Sequence, residues 1–328
     1  MQNLKLSRRA LLISSAALFM RPLRAQTFPS RPIRIIVGFG PGGTTDVIAR
    51  SYGQLMSEQL NVSVIVDNKP GGNQINAIRT LLNSPPDGYT LYAATGSSLV
   101  QNPAIKKDLI YDPLKDFSYI GLAAKNPGVI FCNQKLPVNT LNDLVTYAAA
   151  NPGQLNYASA GVGTSGHFAG EAFLHATGVK ITHIPYKADA EVIREVMGGA
   201  IDMSIMTTLN TTQAIKSGKI KALAVCTASR LPYLPDVPTL RESGFNNLDV
   251  LDPYTFISLV GPAGISAATQ NQLNAAMNKA ATSVAFAAKI RDTLYTEPMR
   301  SSPASFREFT EKQISVWQKL AKSMTLPV

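Results

Sequence analysis

The 328-residue chain is poor in the residue types that most directly carry chemistry: it has two cysteines and three histidines, and aromatic residues make up 7%. The histidines are His167, His175 and His183. The paired histidines of helical zinc sites sit four residues apart, whereas His167 and His175 are separated by eight, with no cysteine nearby, so no metal site is expected. Ser159, Ser165, His167 and Glu171 lie close in sequence, but there is no G-x-S-x-G elbow and no family signature of a catalytic triad. Lys/Arg clusters are absent beyond the first 25 residues. With so few aromatic residues, nucleic-acid binding therefore has no footprint. Linker composition, low-complexity segments and fixed-period repeats are also missing.

No apolar run reaches the roughly 20 residues that a membrane-spanning helix needs. The nearest is residues 10–20, and it belongs to another pattern. Residues 1–25 hold Lys5, Arg8, Arg9, Arg21 and Arg24 and no acid, then the apolar stretch, and end at the small residue Ala25. That is an export signal, with cleavage expected after Ala25 and delivery to the periplasm. Ser7-Arg8-Arg9-Ala10-Leu11-Leu12 approaches a twin-arginine signal, although Leu11 and Ile13 replace the usual Phe and Lys, so ordinary secretion remains open. The segment supplies five of the ten net positive charges, so the mature chain is only mildly basic. Cys132 and Cys226 both fall in strand-like runs. Export allows a disulfide between them, and two small buried apolar residues are the simpler expectation.

About 300 mature residues suffice for two lobes. Strand-like runs at 33–37, 62–66, 89–94, 119–124, 129–133, 156–158, 181–184, 203–206, 222–226 and 256–260 alternate with helix-like runs of 10 to 15 residues. This alternation is the α/β pattern of a sheet covered by helices. Helices are expected over 46–60, 165–177, 268–293 and 303–324. The stretches 116–129 and 248–259 are expected to cross between the lobes.

Glycine is plentiful, and it concentrates in two turns that each open a helix. The first, Gly38-Phe-Gly-Pro-Gly-Gly43, has the GxGxxG spacing, with Asp67 near the place of a ribose-binding acid. It also fits a phosphate loop, but Thr44 stands where that loop needs its Lys. A plain strand-to-helix connection without ligand is the remaining reading. The second turn runs Ala160-Gly-Val-Gly-Thr-Ser-Gly-His167. Export argues against nucleotides, and two such turns facing one cleft would give one carboxylate a set of N–H and hydroxyl donors. Thr164 and Ser165 are suited both to that contact and to capping the helix. Thr95, Gly96 and Ser97, and the segment Thr207, Thr208 and Asn210, follow strands and are expected to face the same cleft.

On these residues the chain resembles the Bug family of exported solute receptors, the substrate-binding components of tripartite tricarboxylate transporters. The resemblance covers residues 28–325. It rests on Phe39-Gly-Pro-Gly-Gly-Thr-Thr-Asp46, Asp67-Asn-Lys-Pro-Gly71, Pro86-Asp-Gly-Tyr-Thr-Leu91, the second turn, Gly198-Gly-Ala-Ile-Asp202, Leu234-Pro-Asp-Val-Pro-Thr239 and Gly261-Pro-Ala-Gly264. It implies a two-lobed type II periplasmic-binding-protein fold, each lobe a mixed, mainly parallel sheet flanked by helices, joined by two crossing strands. Lobe I would be residues 26–127 plus 251–328 and lobe II residues 128–250.

By the same resemblance the lobes close on a small carboxylated solute: a di- or tricarboxylate, an amino acid or an aromatic acid. The implied contacts are Phe39, Gly42, Gly43, Thr44 and Thr45 in the first turn, and Ala160, Gly163, Thr164, Ser165 and His167 in the second. Thr95, Gly96, Ser97 and Thr207 would read the far end, with Asp46 and Asp202 ordering loops. The resemblance implies no cofactor and no catalytic residue, a monomer, and transporter membrane subunits or a sensor kinase as partners. A secreted enzyme on the same scaffold is the alternative. Two departures from the family pattern bear on the ligand. Gly71-Gly-Asn-Gln-Ile-Asn76 is shorter and more polar than the usual glycine-rich segment, and Tyr186-Lys-Ala188 replaces Tyr-Lys/Arg-Gly.

Overall fold

A computed structural model describes residues 28–106 and 108–322. The expected export signal, residues 1–25, and the end of the expected last helix, residues 323 and 324, lie outside them. The described residues from Arg31 onward form one compact unit.

Two sheets organise this unit. The first has the order β11-β4-β10-β3-β1-β2, from β1 (Ile33–Val37), β2 (Val64–Asn68), β3 (Thr90–Thr95), β4 (Phe117–Asn126), β10 (Thr255–Pro262) and β11 (Glu297–Pro298). The second has the order β7-β6-β8-β5-β9, from β5 (Gly128–Asn133), β6 (Asn156–Ser159), β7 (Thr182–Pro185), β8 (Met203–Thr207) and β9 (Ile220–Val225). β1 pairs in parallel with β2 and β3, and β6 with β7 and β8. All pairings of β4, β5 and β10 are antiparallel. The sheets are thus more evenly mixed than the mainly parallel expectation, because the strands beside the two crossings reverse direction. The chain leaves the first sheet at Asn126, enters the second at Gly128, and returns at Thr255. An ion pair between Lys125 and Asp252 ties the two crossings together.

The helices follow from apolar spacing and capping. α1 (Thr44–Leu60) buries Ile48, Ala49, Tyr52 and Met56, and ends where Asn61 turns left-handed at φ 54°. Tyr52 packs edge-on against Phe286 at 5.0 Å. The other α-helices of eight or more residues are α2 (Ile75–Leu82), α3 (Leu141–Ala150), α4 (Ser165–Thr177), α5 (Asp189–Gly198), α6 (Thr208–Lys216), α7 (Ala267–Thr282), α8 (Val284–Leu294) and α9 (Pro303–Ala321). The single helix expected over 268–293 is two. Ser283 adopts extended backbone and its hydroxyl accepts from the Phe286 N–H at 3.4 Å, capping a fresh start.

α9 begins with a Ser302/Ser305 capping box and Pro303. Its buried stripe of Phe306, Thr310, Ile314 and Trp317 packs under the first sheet, where Phe306 meets Tyr119 at 4.8 Å. Burying Phe306 fully contributes about 2 to 3 kcal/mol. The same stripe reaches the other lobe: Trp317 lies 5.9 Å from Phe168 of α4. One apolar core therefore runs behind both sheets. Cys132 and Cys226 are buried and free. No helix among the described residues is long and apolar enough to cross a membrane.

Candidate functional site

The two sheets present the carboxyl ends of their parallel strands to a cavity of about 520 Å³. This is where open α/β sheets place ligands, and the volume suits a small solute.

The first turn leads from β1 into α1. Phe39, Gly40, Pro41, Gly42, Gly43, Thr44 and Thr45 all line the cavity. Gly42 sits at φ 82°, a conformation open to glycine at no steric cost. Its N–H is already taken, because it donates to Asp46 Oδ2 at 2.9 Å. Asp46 is also held by Arg50 at 3.0 Å and by the Asn68 amide at 2.9 Å. Burial works against its charge, yet these donors hold its carboxyl below the usual range. Its charge is therefore spent on fixing the turn. Gly43 caps α1 with no side-chain hydrogen bond, so the first N–H groups of the helix, with the positive end of its dipole, stay open beside Thr44 and Thr45.

The second turn, from β6 into α4, repeats the device. Ser159, Ala160, Thr164, Ser165 and Gly166 line the cavity. Neither hydroxyl caps its own helix: Thr164 Oγ1 donates back to Gly161 O at 2.7 Å, and Ser165 Oγ reaches Gln101 Oε1 across the cleft at 3.1 Å. The α4 start is left open as well.

Gly163 and His167, expected as contacts, lie behind this wall. Gly163 takes φ 79°, its N–H pointing back to His167 Nδ1 at 3.3 Å and its carbonyl accepting from Asn73 Nδ2 at 2.8 Å. His167 is 1% exposed. Because Nδ1 accepts, its proton sits on Nε2, which has no partner among the described residues. Burial, the His183 ring at 4.5 Å and Lys106 together push its pKa down to about 4. Glu171 does not orient it, being occupied by the Tyr157 hydroxyl at 2.6 Å. His183 hydrogen-bonds Ser159 Oγ at 2.8 Å, and no carboxylate pairs with either histidine among the described residues.

Thr95 and Ser97 line the cavity but are largely satisfied. Their hydroxyls and the Gln74 amide close a ring of bonds at 2.9 to 3.1 Å. Gly96 does not line the cavity, and a Cβ there would meet Thr255 Oγ1 at 3.2 Å and the Phe256 ring. Thr207 lies in the wall, its hydroxyl 3.4 Å from that of Thr44 on the other lobe. Asp202 is remote from the cavity. It receives the Asn156 N–H at 2.8 Å and joins the ends of β6 and β8.

The sequence reading missed part of the wall. Lys187, Ala188, Asp189 and Ala190 bring the start of α5, and Asn126, Tyr254, Thr255 and Ile257 come from the crossings. The rule that ligands lie beyond strand ends would have found the α5 start after β7. The starts of α1, α4, α5 and α6 thus converge on one cavity, and none is capped by its own N-cap side chain. The open starts of α1 and α4 make their side of the cavity a trap for a small anion, while the α5 start brings both a cation, Lys187, and a carboxylate, Asp189, into the wall. Among the described residues no cluster of His, Cys, Asp and Glu fits a metal ion.

The pattern of the tripartite tricarboxylate transporter family receptor matches residues 48–326. The chain belongs to that family. It is 35% identical over 307 residues to a UPF0065 protein of Bordetella pertussis, covering 92% of this chain and 93% of that one. Protein BugT of the same organism is 30% identical over 301 residues, 90% of each chain. This is the family that the glycine turns resemble. Among solved structures, Rpa4515 of R. palustris with adipate superposes with a TM-score of 0.83 at 30% identity, over 90% of this chain and 98% of that one. MatC of Rhodopseudomonas palustris with bound malate gives 0.80 at 25%, over 90% and 100%. The fold is thus that of the two-lobed periplasmic binding proteins, and the family is one of solute-binding receptors.

Proposed function

We propose that this receptor is exported to the periplasm, closes its two lobes over one small carboxylated solute, and presents the closed form to a membrane transporter or a sensor. Lobe I is assigned residues 26–127 and 251–328, and lobe II residues 128–250. The observation that carries the reading is the meeting of the open α1 and α4 starts in one cavity, with no acid facing them. Such a site holds a carboxylate through oriented N–H groups in a water-poor setting. The open N–H groups beside Thr44, Thr45, Ser165 and Gly166 form the grip, with Thr207 next to it. The adipate and malate bound by the two relatives support the ligand class.

The test is a thermal-shift screen of the mature chain against mono-, di- and tricarboxylates, amino acids and aromatic acids. A ligand at 100 times its dissociation constant adds about 2.7 kcal/mol of stability, so a true ligand raises the melting temperature clearly. The compound should be recovered chemically unchanged. Turnover of a bound compound would overthrow the receptor reading in favour of an enzyme on this scaffold.

A further inference from the structure

The cavity has two unlike poles. At the starts of α1 and α4 the open N–H groups have no acid facing the cavity, since Asp46 is bound to Gly42, Arg50 and Asn68. At the start of α5 the wall carries a carboxylate, Asp189, beside Tyr254. Asn210 of α6 donates to Asp189 Oδ2 at 2.7 Å, and the second oxygen has no hydrogen-bond partner among the described residues. No cation pairs with Asp189 among the described residues, and burial pushes its carboxyl up to about 6. An acid that only balanced a helix dipole would sit in solvent with its pKa lowered. A carboxylate with a free oxygen, set in a solute cavity without counter-charge, is instead completed by a positive group from the solute.

A second polar group with unused capacity is a donor, and it asks the solute for an acceptor. Asn126 lines the cavity and is 1% exposed. Its Nδ2 has no partner among the described residues, while Oδ1 accepts from Thr296 at 3.2 Å. The wall near the crossings therefore reserves polar capacity for the solute.

We infer that Asp189 determines specificity at the far pole by accepting a protonated amine, so that the preferred solute carries a carboxylate at one end and an ammonium at the other. This rests on the carboxylate-receptor reading above and narrows its ligand class. A plain dicarboxylate would set its second carboxylate against Asp189, with only the exposed Lys187 to offset it.

The experiment is calorimetry on the mature protein with chain-matched probes: 5-aminopentanoate, pentanoate and glutarate, together with α-amino acids. An ammonium-bearing carboxylate should bind about ten- to a hundredfold tighter than glutarate, the size of a charge-assisted hydrogen bond. Asp189→Asn, which retains an acceptor for Asn210, should erase that preference and leave pentanoate affinity within about threefold, which also shows that the variant folds. Tighter binding of glutarate that falls with Lys187→Ala would assign the far pole to Lys187 and overturn the inference. So would an ammonium preference that Asp189→Asn does not change. Binding of carboxylates without any amine preference removes this inference alone, whereas failure of every carboxylate to bind removes the receptor reading with it.

Discussion

In the proposed carboxylate grip, Gly43 is the residue on which binding should depend most. Its φ of −77° is open to any L residue, and an added Cβ would meet only Gly40 O at 3.7 Å, so Gly43→Val should fold. The valine methyls would occupy the space beside the first N–H groups of α1, where the carboxylate must approach. Ligand-dependent stabilisation should therefore vanish while the ligand-free melting temperature moves by less than about 1 kcal/mol equivalent. Normal binding by this variant would show that the α1 start is no anion site. His167 acts differently, from behind the second turn. Its folded pKa of about 4 lies below the unfolded value, so the folded state binds fewer protons between the two. Its contribution is fully present above about pH 6.5 and is lost as pH falls toward 4, where a protonated Nδ1 no longer accepts the Gly163 N–H. Melting curves at pH 7 and pH 4.5 should show a smaller acid loss for His167→Asn than for the parent. His183, also shifted down by burial, should retain part of the effect.

Between lobes, the short segment before α2 is the element that departs most from the family's glycine-rich pattern. Asn73 and Gln74 adopt φ of 49° and 73°, a left-handed conformation that costs a non-glycine residue on the order of 1 kcal/mol. The contacts show what holds it there. Gln74 is buried in the ring with Thr95 and Ser97, and Asn73 reaches across the cleft to Gly163 O. Asn73→Ala should lose that bridge and weaken ligand binding about five- to tenfold, on the order of 1 kcal/mol, with little change in ligand-free stability. Equal affinity by calorimetry would reduce the bridge to an incidental contact.

The sequence showed the deeply buried strands and the two glycine turns, because continuous apolar runs and glycine clusters are local signals. The two-residue β11 and the break at Ser283 left no such trace, since the first depends on pairing with β4 and the second on a single hydroxyl. The same holds for part of the site. The α6 start was legible as polar residues following a strand, whereas the α5 start has no glycine cluster to mark it and enters the wall through the alignment of β7 beside β6. His167 read as a ligand contact because its burial against His183 joins residues sixteen apart in the chain.

At the scale of the whole molecule, the proposed closure must be reconciled with a core that both sheets share. The chain has one tryptophan, Trp317, which is 4% exposed on α9 of the first lobe and packs on Phe168 of the second. Phe168 follows His167 in α4, whose first residues form half of the grip, so any rotation of the second lobe against the first must slide Phe168 past the indole. Packed cores have little spare volume, and such a slide changes the contacts of the ring rather than merely loosening them. Trp317 emission should therefore shift on titration with any carboxylate that raises the melting temperature, with the same midpoint as calorimetry. Phe168→Leu should shrink the shift while leaving affinity within about threefold, because the side chain lies outside the cavity wall. Saturating ligand with no change in emission would mean that the lobes do not move across this shared face, and that the cavity fills without closure.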